Sequence, residues 1–227
     1  MEIRGVMAVV TGAAAGTGRA IAIRLAAEGA RVAVADVDER QSAVTVQLIR
    51  DAGGDAAAVA GDVTSHASVV AMLAGAEAAL DGLGILVNNA GGAERPPFPE
   101  APVEALDLCL DLNLRGPLYA IREALPLMAR RGGGAIINIS SIGGTRGGPD
   151  NFPAYNAAKA GLIRLSETLR PTCDRLGVTI GCLTPDLILT ERVRAEMGLG
   201  PGERPVSVPD AVEPEVVAAE VAAMIGG

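Results

Sequence analysis

Tyr155-Asn156-Ala157-Ala158-Lys159 sets a phenol and an amine four residues apart. In a helix that spacing puts both on one face. A free tyrosine has a pKa of about 10, so only about one in a thousand is ionised at neutral pH. A nearby cation lowers such a pKa by about 1–3 units. The pair can therefore give and take a proton near working pH. Lys159 is also the only lysine among 19 basic residues. Every other basic position carries arginine, which points to a need for the amine itself, although the chain avoids lysine throughout. Ser140-Ser141 follow the apolar run Ile136 to Ile139. Ligands bind at the C-terminal ends of strands in open α/β sheets, so a hydroxyl there can hold a substrate oxygen near Tyr155.

A second constellation lies near the start. An apolar run, Val6 to Val10, leads into Thr11-Gly12-Ala13-Ala14-Ala15-Gly16-Thr17-Gly18, and a helical pattern follows. Backbone amides at a helix N-terminus form an anion site, and glycine lets a pyrophosphate approach without a Cβ in the way. A glycine triplet alone also makes plain strand–helix turns; the strand before and helix after favour a dinucleotide. Asp36 closes the next strand, about 20 residues beyond the glycines, where an acid binds the adenosine ribose. Its charge would repel a 2′-phosphate, and Val37 offers no cation beside it, so NAD is expected over NADP. Arg40 is the one residue near enough to oppose that preference.

The elements that must position these groups alternate. Strands are expected at 6–10, 31–35, 56–60, 85–87, 135–139 and 178–183. Helices are expected at 17–28, 38–51, 65–80, 103–130, 152–176 and 213–225. Pro117 and Pro126 should kink or divide the fourth helix, and Pro171 should disturb the end of the fifth. The segment 186–209, rich in Gly and Pro, reads as irregular and as a substrate lid. Alternation of this kind implies an α/β fold, a doubly wound parallel sheet of Rossmann type with helices on both faces. No linker or repeat divides the 227 residues, so one domain, 1–227, is expected.

Composition narrows the function classes. The chain is 49% hydrophobic and 20% charged, with a formal net charge of −8. A net-negative surface argues against nucleic acid and anionic membranes as partners. Cys109, Cys173 and Cys182 form no CxxC pair and read as reduced core thiols. His66 is the only histidine, which nearly excludes His-based metal sites and Ser-His-Asp triads; it reads as a surface residue. Neither a signal peptide nor a membrane-length apolar run is visible, so a cytoplasmic location is expected.

In this order, the motifs resemble those of the short-chain dehydrogenase/reductase family, in its shorter single-domain branch. Residues 11–18 match TGxxxGxG, and Asp62-Val63 resemble the adenine-contacting pair. Asn88-Asn89-Ala90-Gly91 match NNAG, which supports the sheet and lines the cofactor pocket. Asn113, Ser141, Tyr155 and Lys159 match the catalytic tetrad. Pro185, Ile188 and Thr190 match the loop over the nicotinamide. The resemblance implies an NAD-dependent oxidoreductase acting on a small alcohol or ketone. Tyr155 would be the acid/base, and Lys159 would lower its pKa and bind the nicotinamide ribose. Ser141 would orient substrate, and Asn113 would hold a water on a proton path to Lys159. The cofactor set is Gly12, Gly16, Thr17, Gly18, Asp36, Asp62, Val63, Asn89, Ala90, Gly91, Tyr155, Lys159, Pro185, Ile188 and Thr190, with no metal. The other reading is a catalytically silent dinucleotide-binding or scaffold protein on the same fold.

Three departures from the family pattern bear on this. The Ser141–Tyr155 interval is one residue longer than usual, Asp186 replaces a glycine, and the sequence stops at Gly227, where relatives continue into a seventh strand. That strand helps form a tetramer interface, and without it an edge strand is exposed. A homodimer or homotetramer is still expected, with helices 103–130 and 152–176 pairing across a two-fold axis.

Overall fold

The computed structural model describes residues 1–146, 152–206 and 208–227. Strand β1 (Met7–Thr11) leads into helix α1 (Gly16–Ala27), then β2 (Arg31–Asp36), α2 (Glu39–Asp51), β3 (Asp55–Ala60), α3 (His66–Leu80) and β4 (Leu83–Asn88). The second half continues with α4 (Val103–Leu110), α5 (Gly116–Arg131), β5 (Gly134–Ile139), α6 (Pro153–Arg175), β6 (Val178–Leu183), α7 (Glu191–Met197) and α8 (Pro214–Gly226). All pairings are parallel, in the order β3-β2-β1-β4-β5-β6. This is the doubly wound sheet expected from the sequence. Its order reverses between β1 and β4, which opens a crevice beyond their C-terminal ends.

Alternation along the strands feeds two apolar layers. Ala8, Val10, Val32, Val34, Ile85 and Ile137 face one way and pack with Ile21, Leu25, Ile49, Val217, Val221 and Ile225 of α1, α2 and α8. Met7, Val9, Ala33, Leu86 and Ile136 face the other way, against Met72, Ile121, Met128 and Cys173 of α3, α5 and α6. Both faces are covered, so the strands read as continuous apolar runs rather than alternating ones.

One expectation is met in part and two are corrected. The span 103–130 is divided before Pro117, though not at Pro126: α4 and α5 are joined by a single π turn, Asp111–Arg115. Pro117 lies in the first turn of α5. Its ring crowds the carbonyl four residues back and it brings no N–H, so a wider turn before it relieves the clash. By contrast α6 runs unbroken through Pro171. The segment 186–209 is not wholly irregular. Helix α7 forms within it, capped by the Thr190 hydroxyl, which accepts from the Val193 amide at 3.3 Å, and ended by Gly198 with φ +65°.

A buried polar chain ties the site end of the sheet together. Asn88 and Asn138 are register partners on β4 and β5. Asn88 Nδ2 donates to Asn138 Oδ1 (2.8 Å), Asn138 Nδ2 to Ser166 Oγ (2.9 Å), and Ser166 Oγ to the Leu162 carbonyl of α6 (2.8 Å). Replacing Asn138 by Leu would leave the Asn88 amide buried without its partner. We expect Asn138→Leu to lower the unfolding free energy by about 1–3 kcal/mol in urea titrations. A change well under that range would show that the chain does not brace the sheet.

Candidate active site

The glycine turn is built by close approach. A Cβ on Gly18 would stand 2.1 Å from the Gly12 carbonyl oxygen and 2.6 Å from Asn89 Nδ2, so only glycine lets α1 start this close to the strand end. The Thr11 hydroxyl accepts from the Asn89 and Ala90 amides at 3.0 and 3.1 Å. Asn89 Nδ2 donates to the carbonyls of Thr11 (3.0 Å) and Gly12 (3.2 Å). The segment after β4 thus braces the turn after β1 across the point where strand order reverses. The N-cap of α1, Ala15, supplies no side-chain acceptor to the first-turn amides. An uncapped helix start with glycine at the approach fits a pyrophosphate. Half-buried Asp36 receives the Ala14 amide (3.0 Å) and the Asp38 amide (3.1 Å) on its two oxygens. Asp62 holds the Thr64 amide and hydroxyl at 2.9 and 2.7 Å.

Ser141, Tyr155 and Lys159 meet at the other end of the same cleft. Ser141 follows β5, and Tyr155 and Lys159 lie on the first two turns of α6. Ser141 and Tyr155 line the same cleft, and the Ser141 side chain favours the ionised form of the Tyr155 hydroxyl. Lys159 Nζ lies 5.5 Å from the centroid of the Tyr155 ring and donates to the Ile139 carbonyl at 2.8 Å. Ser140 Oγ donates to the Lys159 carbonyl at 2.8 Å, so β5 holds α6 at this level twice. Residues 147–151, part of the longer interval before Tyr155, lie outside the described residues.

The cleft has a volume of about 1150 Å³. It is lined by Gly12, Gly16, Thr17, Gly18, Asp36, Asp62, Val63, Asn89, Ala90, Gly91, Pro185, Ile188 and Thr190, together with Ser141, Tyr155 and Lys159. Asn113 alone of the expected residues does not line it. It is fully buried on the π turn, with Nδ2 donating to the carbonyls of Gly92 (2.7 Å) and Cys109 (2.8 Å) and Oδ1 accepting the Gly92 amide (3.2 Å). A Cβ on Gly91 would lie 2.7 Å from Asn113 Oδ1 and 3.2 Å from Lys159 Nζ. Glycine there lets Asn113 and Lys159 close on the same piece of backbone.

Residues 6–197 match the family model described as short chain dehydrogenase. The chain belongs to the short-chain dehydrogenase family. It is 40% identical over 184 residues to the 2-dehydro-3-deoxy-L-rhamnonate dehydrogenase (NAD(+)) of a Sphingomonas species, covering 80% of this chain and 71% of that one. It is likewise 40% identical over 184 residues to the cis-4-hydroxycyclohexanecarboxylate dehydrogenase of Sinomonas cyclohexanicum, covering 79% and 72%. Among solved structures, a hydroxysteroid dehydrogenase from Escherichia coli superposes with a TM-score of 0.87 at 28% identity, covering 99% of this chain and 90% of that one. This short-chain dehydrogenase is an oxidoreductase that binds a nicotinamide dinucleotide and acts on alcohol groups. Nothing in these likenesses favours a silent scaffold.

Electrostatics in the dehydrogenase differ from the simple expectation. Burial pushes the Tyr155 hydroxyl up, and the Ser141 side chain pulls it back. Burial lowers the Lys159 ammonium to about 8. Lys159 is not among the causes of the Tyr155 shift, so the expected lowering is not seen. The amine is spent on the Ile139 carbonyl and is itself half neutral near pH 8. Asp186 departs from the family glycine without strain. Its backbone is not left-handed, and its carboxylate receives the Leu187 amide at 2.8 Å and faces Arg146 at 3.8 Å. Of the expected core thiols, Cys109 is more than filler: its Sγ donates to Glu94 Oε2 at 3.3 Å, and burial with Glu94 nearby raises its pKa to about 11. His66 is exposed and pairs with Glu123 at 2.9 Å.

Glu94, Phe152 and Arg146 border the site or its helix and carried no sequence signal. An acid after two small residues looks like a solvated loop.

The lowered Lys159 pKa has a thermodynamic consequence. In the native state the amine holds its proton less tightly than in the unfolded chain. Between about 8 and 10.5 the unfolded chain binds more protons, so this group's contribution to stability improves as pH rises through that window. A Lys159→Met variant lacks the titration. The melting temperature of wild type relative to that variant should therefore climb between about pH 7 and pH 10. A flat difference across that range would show that the amine is not destabilised by burial.

Proposed function

We propose that this dehydrogenase uses NAD to interconvert a secondary alcohol and its ketone, with Tyr155 as the general acid/base. The observation that carries the reading is the convergence of Tyr155 and Ser141 beside buried Lys159, in one cleft with the uncapped start of α1 and Asp36. When bound, the nicotinamide supplies or accepts the hydride. Everything else falls to the chain. Ser141 donates to the substrate oxygen and holds it against the Tyr155 hydroxyl. Tyr155 takes the alcohol proton during oxidation and returns it during reduction. By the family resemblance, Lys159, one turn along, would hold the nicotinamide ribose and, with the cofactor in place, lower the Tyr155 pKa. Asn113 keeps the backbone under Lys159 in place through Gly92. Its place on a water path to solvent follows from the family resemblance.

The preference for NAD rests on Asp36 and Val37 at the far end of the cleft, and one relative is named for NAD(+). The segment 186–209 forms the lid over the substrate. It is tied to the start of α8 by the Ile188–Val212 bridge and by Arg194, which donates to Glu213 Oε1 at 2.6 Å. Leu187 and Val193 of the lid and Phe152 of the body give the substrate an apolar wall. The relative named for cis-4-hydroxycyclohexanecarboxylate supports a secondary alcohol as the reacting group. The working unit is a homodimer or homotetramer in the cytoplasm. Exposed Leu108, Leu110 and Leu118 lie on the helices expected to pair.

Two measurements test this. With a panel of secondary alcohols followed by NADH absorbance, Tyr155→Phe should lose about 10²–10⁴-fold in turnover while still binding NADH. Near-normal turnover would overturn the acid/base assignment. NAD should outperform NADP in kcat/KM, and Asp36→Ala should narrow the gap by removing the charge that repels the 2′-phosphate. A native preference for NADP would overturn the cofactor reading.

A further inference from the structure

Among the described residues, Glu94 and Lys159 are the only charged side chains in the buried class, at 2% and 4% exposure. A buried carboxylate costs several kcal/mol unless it is well hydrogen-bonded. Glu94 is. Its Oε1 accepts the Ala154 amide at 3.0 Å, and its Oε2 accepts the Tyr155 amide at 3.1 Å and the Cys109 thiol at 3.3 Å. Helix α6 needs these acceptors. Its N-cap, Phe152, has no capping side chain, and Pro153 brings no N–H. Ala154 and Tyr155 therefore offer the first free amides, and a carboxylate from 60 residues earlier closes both. A negative charge at a helix start is also favoured by the helix dipole.

The loop that carries Glu94 is itself held. Two residues before it, Gly92 is gripped through its amide and carbonyl by Asn113, and the Cys109 thiol that donates to Glu94 also approaches the Gly92 carbonyl at 3.5 Å. Ser141 and Tyr155 come from different elements, β5 and α6. Their approach depends on where the first turn of α6 sits relative to the sheet. One turn on, β5 pins α6 through Lys159 and Ser140. The first turn, which carries Tyr155, is pinned from the loop after β4.

We propose that Glu94 is a positioning residue for the reaction: its carboxylate clamps the first turn of α6 and so sets the Tyr155 hydroxyl against Ser141. The proposal rests on Tyr155 as the acid/base. A misplacement of about 1 Å at reacting groups can cost about a hundredfold in rate. Glu94→Ala should therefore lower kcat for alcohol oxidation by about tenfold to a hundredfold, with substrate KM and NADH Kd held within about twofold. Glu94→Gln keeps the size and one acceptor, so its kcat should fall between the two. Rates are taken per folded molecule, with folding read from circular dichroism and melting. Unchanged kcat in both variants overturns the proposal, and so does a kcat loss matched by an equal loss of NADH affinity, which marks general loosening. If the Ala variant does not fold, the Gln variant decides by the same readouts. Tyr155→Phe is measured alongside. An inactive Tyr155→Phe with full-speed Glu94 variants removes this proposal and leaves the acid/base assignment standing, whereas an active Tyr155→Phe removes both.

Discussion

A lysine ammonium held under the edge of the sheet organises this molecule. Lys159 is almost wholly buried, and its amine donates to the Ile139 carbonyl. That carbonyl is free to accept because it lies where β5 ends and the ladder to β6 stops. The neighbouring Ser140 hydroxyl closes on the Lys159 carbonyl from the same strand end. A cation in such a place is unfavourable, and burial lowers its proton affinity as a result. The surrounding structure must therefore over-determine its position. Stability is given up here to keep an amine 5.5 Å from the centroid of the Tyr155 ring.

The loop after β4 joins this region to the dinucleotide end. Asn89 braces the glycine turn after β1, Gly91 makes room for Asn113 and Lys159, Gly92 is held by Asn113, and Glu94 caps α6. Six residues of backbone, 89–94, thus carry contacts to both halves of the cleft. The place follows from topology. Strand order reverses between β1 and β4, so the chain leaving β4 is the one element that borders both. The π turn at Asp111–Arg115 serves the same junction. It puts Asn113 inward while relieving Pro117, so one local irregularity meets a backbone need and a site need together.

Much of this was legible in the order of residues. Apolar runs alternating with helical patterns require a parallel sheet covered on both sides, whatever the details of packing. The TGAAAGTG turn, Asp36 and the Tyr155–Lys159 spacing are local patterns, and local patterns survive translation into structure because neighbours along the chain are neighbours in space. Misreadings arose where a local rule met a tertiary demand. Pro171 should disturb a helix, yet α6 runs through it, and the short β4 signal at 85–87 lengthened to Leu83–Asn88 once paired on both sides.

The sequence by itself determined the fold class, the glycine turn after β1 and the helical spacing of Tyr155 and Lys159. Only the tertiary structure decided the electrostatics of that pair and the way it is held. Lys159 was expected to lower the Tyr155 pKa; burial instead raises that of Tyr155 and lowers that of Lys159. Glu94 and Cys109 carry no sequence signal, since their partners lie 60 and 15 residues away and a hydrogen bond over that distance is made by packing. Spacing along a helix names which groups can meet, but the depth to which they are buried is set by the elements laid over them.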